Sequence, residues 1–414
     1  MQLLRNEKVI NIMEKTLNHV DSRLIDHGKR VAYLIFKVLN GRQMFTEKEL
    51  QNICILAMLH DVGAYKTEEI DQMVVFETEK VWEHSIYGYL FLKHFSPLKD
   101  FAPVICYHHA ECNEIGGLSP QHQFLAQLIS LCDRADVFSL QEDKGQGFCA
   151  HLEKYRDIKY RSDVIDMFNE AQIDIDKIFE NIDNDAEFNR IFRETPLSRE
   201  EASAYIDMII FSIDFRSPQT VIHTVGTTYI SGVIAELLGM SEEQVEIIKT
   251  GALLHDIGKI GVPVGILESP NRLADAEMDI MRKHVDFSEE ILHDCVSEEI
   301  KQMVVKHHEK LDGSGYPRGI KAGEITMLDS IVAISDIFVA LCQRRTYKEA
   351  YPKEKIFGIL ESMSGTLDGK ILSLVEKNYE KLLDILDRET QPIVAVYNAV
   401  IEEYEHLMKE FVRS

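Results

Sequence analysis

An all-α protein of two tandem helical bundles, joined by a helical connector and followed by a C-terminal helical extension, is what this sequence predicts. Apolar residues recur three and four apart through most of the chain, the period of a helix with one buried face. No stretch alternates apolar and polar residues as a set of half-buried strands requires. A series of histidines and aspartates also runs through the chain twice in the same order, about two hundred residues apart.

The elements follow in order. Helical spacing is clearest over Leu24–Val38, Gln219–Leu238, Glu243–Leu254 and Glu324–Leu341. Pro218 suits a first helical turn, Gly239 a helix end, and Ser241 with Gln244 forms a capping box ahead of the next helix. From Gln141 to about Glu194 the chain is polar and acidic and holds none of the repeated residues. Val164–Phe168 and Ile175–Phe179 keep an apolar spacing there, so it reads as helical connector, with Pro196 near its end. Beyond Asp336, Pro352–Met363 and Ile371–Leu386 read as helices, and a terminal helix is expected from Ile393 to Val412. The expected domains are residues 1–140, a connector over 141–195, a second domain over 196–376 and an extension over 377–414.

Composition narrows the partners. At 414 residues the chain has room for two or three domains with cores of their own. A formal charge of −24 argues against non-specific binding to duplex nucleic acid or to anionic lipid. An anionic small substrate stays open, because bound cations invert the local field. The seven cysteines are scattered with no Cys-x-x-Cys pair, which reads as reduced thiols in a cytoplasmic protein. No apolar run approaches the roughly twenty residues needed to span a bilayer. Met1–Val20 lacks the pattern of a signal peptide.

The repeated pattern carries the chemistry. Its first copy is His27, His60-Asp61, His84, His108-His109 and Asp133; its second is His223, His255-Asp256, His284, His307-His308 and Asp336. Successive gaps are 33, 24, 24 and 25 residues in the first copy and 32, 29, 23 and 29 in the second. Imidazole and carboxylate are ligands for borderline divalent metals. Neighbouring positions on a helix diverge by about 100°. Thus His255 can hold one ion while Asp256 turns toward the gap between two. Two ions about 3.5–4 Å apart acidify water between them and clamp the oxygens of an in-line phosphoryl displacement. Isolated core histidines satisfied by their neighbours would not recur in this order.

The second copy is embedded in Leu254-His255-Asp256-Ile257-Gly258-Lys259 and in His307-His308-Glu309-Lys310-Leu311-Asp312-Gly313-Ser314-Gly315-Tyr316-Pro317. Over residues 196–376 the chain resembles the HD-GYP family, a subset of the HD-domain metal-dependent phosphohydrolases that hydrolyses bacterial cyclic dinucleotides. The resemblance implies that His223, His255, Asp256, His284, His307, His308 and Asp336 are metal ligands for two divalent ions, iron or manganese. It implies catalytic roles for Asp256 and for Lys259, the latter on the scissile phosphate. Arg345-Thr346-Tyr347-Lys348 matches the family's element whose cations, here Arg345 and Lys348, hold substrate phosphates. Gly313 and Gly315 permit a sharp turn after the paired histidines. Tyr316 would stand at the pocket rim as a substrate contact, on a loop that family members also use to bind partner proteins. Some members carry a glutamate one turn before the first histidine to hold a third metal. Gln219 stands there, so two ions are expected.

The first copy resembles the wider HD superfamily over residues 21–139 but has no Gly-Tyr-Pro loop, and Ala64 occupies the place of Lys259. All of His27, His60, Asp61, His84, His108, His109 and Asp133 are present as a second candidate metal site. Three readings compete for this domain: a second hydrolase, a metal-binding but inactive regulator, or a packing partner, and a homodimer fits any of them. The sharpest version is a phosphatase that removes the terminal phosphate from the linear dinucleotide. The leading expectation for the chain is a phosphodiesterase that opens cyclic di-GMP or 3′,3′-cyclic GMP-AMP. A non-catalytic receptor or scaffold and a di-iron oxygenase are the competing classes, and the phosphate-binding cations favour hydrolysis over oxidation.

Overall fold

The structure is a computed structural model that describes residues 6–19, 26–66, 82–140, 146–215, 218–269, 271–343 and 351–413. These residues are helical, with two isolated bridges, Arg156 to Tyr160 and Asp312 to Lys321, as the β pairings among them. The α-helices are α1 (Asn6–Asn18), α2 (His27–Leu39), α3 (Glu47–Met58), α4 (Trp82–Phe95), α5 (Ala102–Cys106), α6 (Pro120–Ser139), α7 (Gln146–Lys154), α8 (Ser162–Glu170), α9 (Ala186–Asn189) and α10 (Arg199–Asp214). They continue as α11 (Pro218–Leu237), α12 (Glu242–Leu254), α13 (Val264–Leu267), α14 (Asp275–Leu292), α15 (Glu298–Lys306), α16 (Met327–Cys342), α17 (Lys353–Ser362), α18 (Gly369–Lys377) and α19 (Tyr379–Arg413).

The chain divides into two compact units, residues 9–212 with 400–414, and residues 213–399 with 1–8. In the first, α2 packs on α3 and α6, and α4 on the turn Val62–Lys66. Val31, Leu34, Ile35, Phe36, Ile55 and Leu128 are buried between these helices. The segment read as a connector closes over this bundle. Phe188 meets Phe36 at 5.3 Å and Tyr33 at 4.9 Å between ring centroids, and Phe148 meets Phe138 at 5.1 Å. Gln51 donates from Nε2 to the carbonyls of Phe192 and Thr195, so the buried backbone of that segment is satisfied by the bundle.

The second unit repeats the plan: α11 packs on α12 and α16, α12 on α15, and α14 on the turn Ile257–Gly261. Its helix ends follow the expected chemistry. Ser241 and Gln244 form the capping box of α12. Gly239, at φ +76°, ends the preceding helix, with Met240 N–H donating to the Ala235 carbonyl and Gly239 N–H to Glu236.

The C-terminal region differs from expectation. The helix read as Ile371–Leu386 breaks at Asn378, whose side-chain amide turns back to donate to the Leu374 carbonyl. The terminal helix then runs unbroken from Tyr379 to Arg413 and carries Pro392 in its interior. Proline removes one backbone donor there. Burial of Leu382 and Val400 on either side holds the helix through it. Residues 400–413 pack in the first unit: Tyr404 stacks on Tyr87 at 4.1 Å, and Phe411 meets Trp82 at 4.4 Å and Tyr107 at 5.3 Å.

Candidate metal centres

The second unit draws its site from five elements. His223 comes from α11, His255 and Asp256 from the end of α12, His284 from α14, His307 and His308 from the end of α15, and Asp336 from α16. The turn after Asp256 approaches α14 because Gly258 has no side chain. A Cβ there would lie 2.0 Å from the His284 carbonyl oxygen and 2.5 Å from Ser288 N. Gly63 repeats the device in the first unit, where a Cβ would fall 2.0 Å from the His84 carbonyl oxygen. The glycine of each His-Asp-x-Gly run is therefore fixed by the close crossing of the helix that supplies the third histidine.

The rings are pre-oriented by the backbone. Nδ1 of His255, His284 and His307 donates to the carbonyls of Ala252, Met281 and Val304 at 2.6, 2.7 and 2.6 Å. Each hydrogen bond places the proton on Nδ1 and leaves the Nε2 lone pair facing the site, as a metal ligand requires. Asp256 lies between them. Its Oδ2 is 3.0 Å from His255 Nε2, and its Oδ1 is 3.5 Å from His284 Nε2 and 3.8 Å from His307 Nε2. Ligand atoms of His223, His255 and Asp256 lie within 4.8 Å of one another, as do those of Asp256, His284, His307 and His308. Two subsites thus share Asp256. Asp336 adds a carboxylate 2.9 Å from His223 Nε2 and 3.8 Å from His308 Nδ1.

Whether these residues fit a metal is answered by the atoms left over. His255 Nε2 and Asp256 Oδ1 are buried and have no hydrogen-bond partner. Orphaned polar atoms are costly in a folded interior, and here they face each other's ligand sets. A cation satisfies both. The electrostatics agree. Burial opposes charge on His255, but the neighbouring Asp256 carboxylate outweighs it and lifts the imidazole to about 9. Burial likewise opposes charge on Asp256, yet His255 and Lys259 hold its carboxyl well below the usual range. Burial holds His284, His307 and His308 below the usual imidazole range, so Asp256 presents a fixed negative charge to three neutral imidazoles, a divalent-metal environment.

The first unit has the same geometry. Asp61 Oδ2 is 3.3 Å from His60 Nε2, and Oδ1 is 3.6 Å from His84 Nε2 and 3.7 Å from His108 Nε2. These three distances match their counterparts around Asp256 to within 0.3 Å. Asp61, His84, His108 and His109 form one group within 4.8 Å, and His27, His60 and Asp133 another. Nδ1 of His60 and of His108 donates to a backbone carbonyl three residues back, at 2.7 and 2.6 Å. Asp61 Oδ1 and His108 Nε2 are the buried orphans here.

The surroundings of the two centres differ. Lys259 Nζ sits 2.5 Å from Asp256 Oδ2; Ala64, buried, takes its place in the first unit. His27 Nδ1 is held by Asp136 at 2.7 Å, and Arg30 grips the same carboxylate from Nε and Nη2. At the matching offsets in the second unit stand Val339 and Gly226, and a Cβ on Gly226 would meet Leu386 at 2.5 Å.

Tyr316 lies beside the paired histidines of the second centre. Its ring lies 4.5 Å from the His308 ring, with the Arg282 guanidinium carbon 5.2 Å from the Tyr316 ring centroid. Gly315 passes within 2.5 Å of Glu309 Cα and Lys310 N, counted from where a Cβ would stand. Arg345 and Lys348 lie outside the described residues. Sequence reasoning missed three groups. Glu309, buried, accepts from the backbone N–H of Arg318, Gly319 and Ile320 at 2.7, 3.1 and 3.2 Å and so closes the Gly-Tyr-Pro loop. Asp136 orients His27. Asp214, 2% exposed, has its carboxyl pushed up to about 7 by burial, although Thr224 and Lys259 pull it down. The paired His-His-Glu run could have signalled Glu309; nothing local signals Asp214.

Comparison with known proteins agrees with this duplication. Profiles described as HD domain match residues 24–137 and residues 204–371. The chain is 25% identical over 395 residues to 3′3′-cGAMP-specific phosphodiesterase 1 of Vibrio cholerae, covering 89% of this chain and 90% of that one. It is 40% identical over 180 residues to a cyclic di-GMP phosphodiesterase of Thermotoga maritima, which spans 42% of this chain and 49% of the relative. In fold it is similar to a solved cyclic GMP-AMP specific phosphodiesterase of V. cholerae, with a TM-score of 0.56, 18% identity and coverage of 93% and 98%. No helix among the described residues is long and apolar enough to cross a membrane.

Proposed function

Because this chain belongs to the HD-domain family and carries two such domains in tandem, we propose that it is a metal-dependent phosphodiesterase acting on a bacterial cyclic dinucleotide. The substrate is cyclic di-GMP or 3′,3′-cyclic GMP-AMP, and the product is the linear 5′-phosphorylated dinucleotide. The observation that carries this reading is the shared carboxylate of Asp256, whose orphaned Oδ1 stands among the imidazoles of His284 and His307, in one ligand group with His308. Likeness to a 3′3′-cGAMP-specific phosphodiesterase along nine-tenths of both chains supports the substrate class.

In this reading His223, His255, Asp256, His284, His307, His308 and Asp336 hold two divalent ions, iron or manganese. When bound, the ions supply acidified water and charge stabilisation for an in-line phosphoryl displacement. Ring opening adds one water: a P–O bond forms, the bond from phosphorus to the 3′ oxygen breaks, and that oxygen leaves as a hydroxyl. Lys259 stands one hydrogen bond from Asp256. Asp256 keeps its ammonium charged against the cost of burial, ready to meet charge developing on the scissile phosphate. Arg345 and Lys348 take the flanking phosphate, and Tyr316 borders the base.

The first unit serves as an auxiliary phosphatase on the linear product. Its ligand geometry supports hydrolysis, and the loss of the lysine at Ala64 and of the Gly-Tyr-Pro loop supports a different substrate. The test is product analysis by chromatography after metal-loaded protein meets each ring. A linear 5′-phosphorylated dinucleotide, followed by its dephosphorylated form, is expected. If neither ring opens with metal content confirmed, a dinucleotide receptor replaces the enzyme.

A further inference from the structure

The first unit lacks two further devices that would receive the substrate in the second. No Gly-Tyr-Pro turn follows His108-His109, and the offsets that place Arg345 and Lys348 after Asp336 place Glu142 and Gly145 after Asp133. The loop that follows its paired histidines is held by another part of the chain. Residues 155–161 form a tight turn with Asp157 at φ +58°, closed by Asp157 N–H donating to the Tyr160 carbonyl at 2.8 Å and Lys159 N–H to Tyr155 at 2.9 Å. This turn docks on the loop that follows His109. Cys112 donates from N–H and from Sγ to the Ile158 carbonyl at 3.3 and 3.1 Å. Gln127 bridges the two pieces, donating to the Ala110 carbonyl at 2.9 Å and accepting from Arg161 N–H at 3.0 Å. Tyr160 is the buried anchor beneath.

The turn brings cations to the loop that leaves the paired histidines. Lys159 Nζ lies 6.0 Å from the centre of the Tyr160 ring, and Lys154 Nζ 4.9 Å from that of Tyr155. Lys159 makes no ion pair with any described residue; burial and then the Arg134 charge hold its ammonium below the usual lysine range, against the pull of Asp133 and Glu111. His151, 4.7 Å from Tyr155 and 6.1 Å from Tyr160, is held to about 4 by burial and then by the charges of Arg134, Lys159 and Lys154. Its Nε2 is a buried atom with no partner. In a chain of net charge −24, three cations gathered around one neutral imidazole, one of them Arg134 directly after Asp133 in the chain, are an anion-receiving arrangement.

We propose that the turn 155–161, with Lys159 and Arg134 as its cations, is the phosphate-receiving rim of the N-terminal metal centre and takes the phosphomonoester of a nucleotide. The proposal rests on reading that centre as phosphate-hydrolysing. The rim supplies charge from outside the repeated ligand pattern in place of the missing lysine at Ala64. A terminal phosphate needs such charge more than an internal diester does, because it carries a second negative charge near neutral pH.

The test uses the full chain, metal-loaded, with the second centre silenced by His255→Ala/Asp256→Ala. Calorimetry compares a linear dinucleotide with and without its 5′-phosphate. The phosphorylated form is expected to bind about tenfold more tightly or better. Lys159→Gln should erase that preference, and Lys159→Arg should keep it. Metal content and melting temperature should stay unchanged, as should ring opening when Lys159→Gln is made in a chain with both centres intact. Equal affinity for the two ligands, or a preference that survives Lys159→Gln, overturns the proposal. Inorganic phosphate binding as tightly as the phosphorylated dinucleotide overturns the nucleotide assignment. Phosphate release is followed separately. A preference that depends on Lys159 with no release supports the rim and removes hydrolysis from this centre.

Discussion

Five of the ten patterned histidines owe their ligand geometry to a single backbone carbonyl three residues earlier: His60, His108, His255, His284 and His307. That reach is local, at a helix end for four of them and inside α14 for His284, so residue identity and spacing were enough to single them out. Glu309 is different, because its three backbone donors come from residues 318–320 and meet it only after the loop closes. Glu309→Gln keeps the shape and removes the charge. It should lower stability by about 1–3 kcal/mol, read as a fall in melting temperature, and reduce turnover at the second centre more than metal content there. Unchanged melting would show that the loop is held by its glycines and proline alone. A second residue gives a pH signature. Burial raises the Asp207 carboxyl to about 6 from 3.8. The fold therefore opposes its ionisation, at a cost absent below pH 4 and present in full above pH 6. Asp207→Asn should stabilise the protein by about 1–2 kcal/mol at pH 8 and by nothing at pH 4. Equal effects at both pH values would contradict the burial account. Neither Asp207 nor Asp214 was legible in sequence, since their environment is made by other helices.

Among the elements, the helices that carry ligands were readable from periodicity and caps, as α12 shows with its Ser241–Gln244 box. What escaped was long-range. The polar segment around 146–194 reads as a spacer by composition, yet Phe148, Phe188 and Phe192 are buried in the first unit. Three aromatic anchors outweigh many exposed charges, at roughly 1.5–3 kcal/mol for each fully buried. The last helix, expected from Ile393, instead begins at Tyr379 and passes through Pro392. Its end clamps two ligand-bearing elements, through Phe411 on Trp82 and Tyr107, and through Glu403 on Lys93 at 2.5 Å and Tyr89 at 3.2 Å. Trp82 is the chain's one tryptophan. Ending the chain after Ala399 should red-shift its emission and lower metal retention at the first centre, with the second centre's metal unchanged. An unshifted spectrum and full metal content would show that residues 400–413 play no part in shaping that centre.

At the scale of the whole molecule, one helical plan has been used twice and furnished differently. The ligand sets agree within a few tenths of an ångström around Asp61 and Asp256. Lys259 and the Tyr316 loop belong to one copy, the Arg30–Asp136 grip and the 155–161 turn to the other. Two such centres in one chain fit successive hydrolyses, a ring opened at one and a terminal phosphate removed at the other. The most direct measurement is a time course of both products from each cyclic dinucleotide. It compares metal-loaded wild type with His255→Ala/Asp256→Ala and with His60→Ala/Asp61→Ala. The account predicts that the first variant opens no ring yet still dephosphorylates added linear dinucleotide. The second should open the ring at the wild-type rate and accumulate the 5′-phosphorylated product. Ring opening that survives loss of His255 and Asp256, in protein whose folding and metal content are verified, would contradict it.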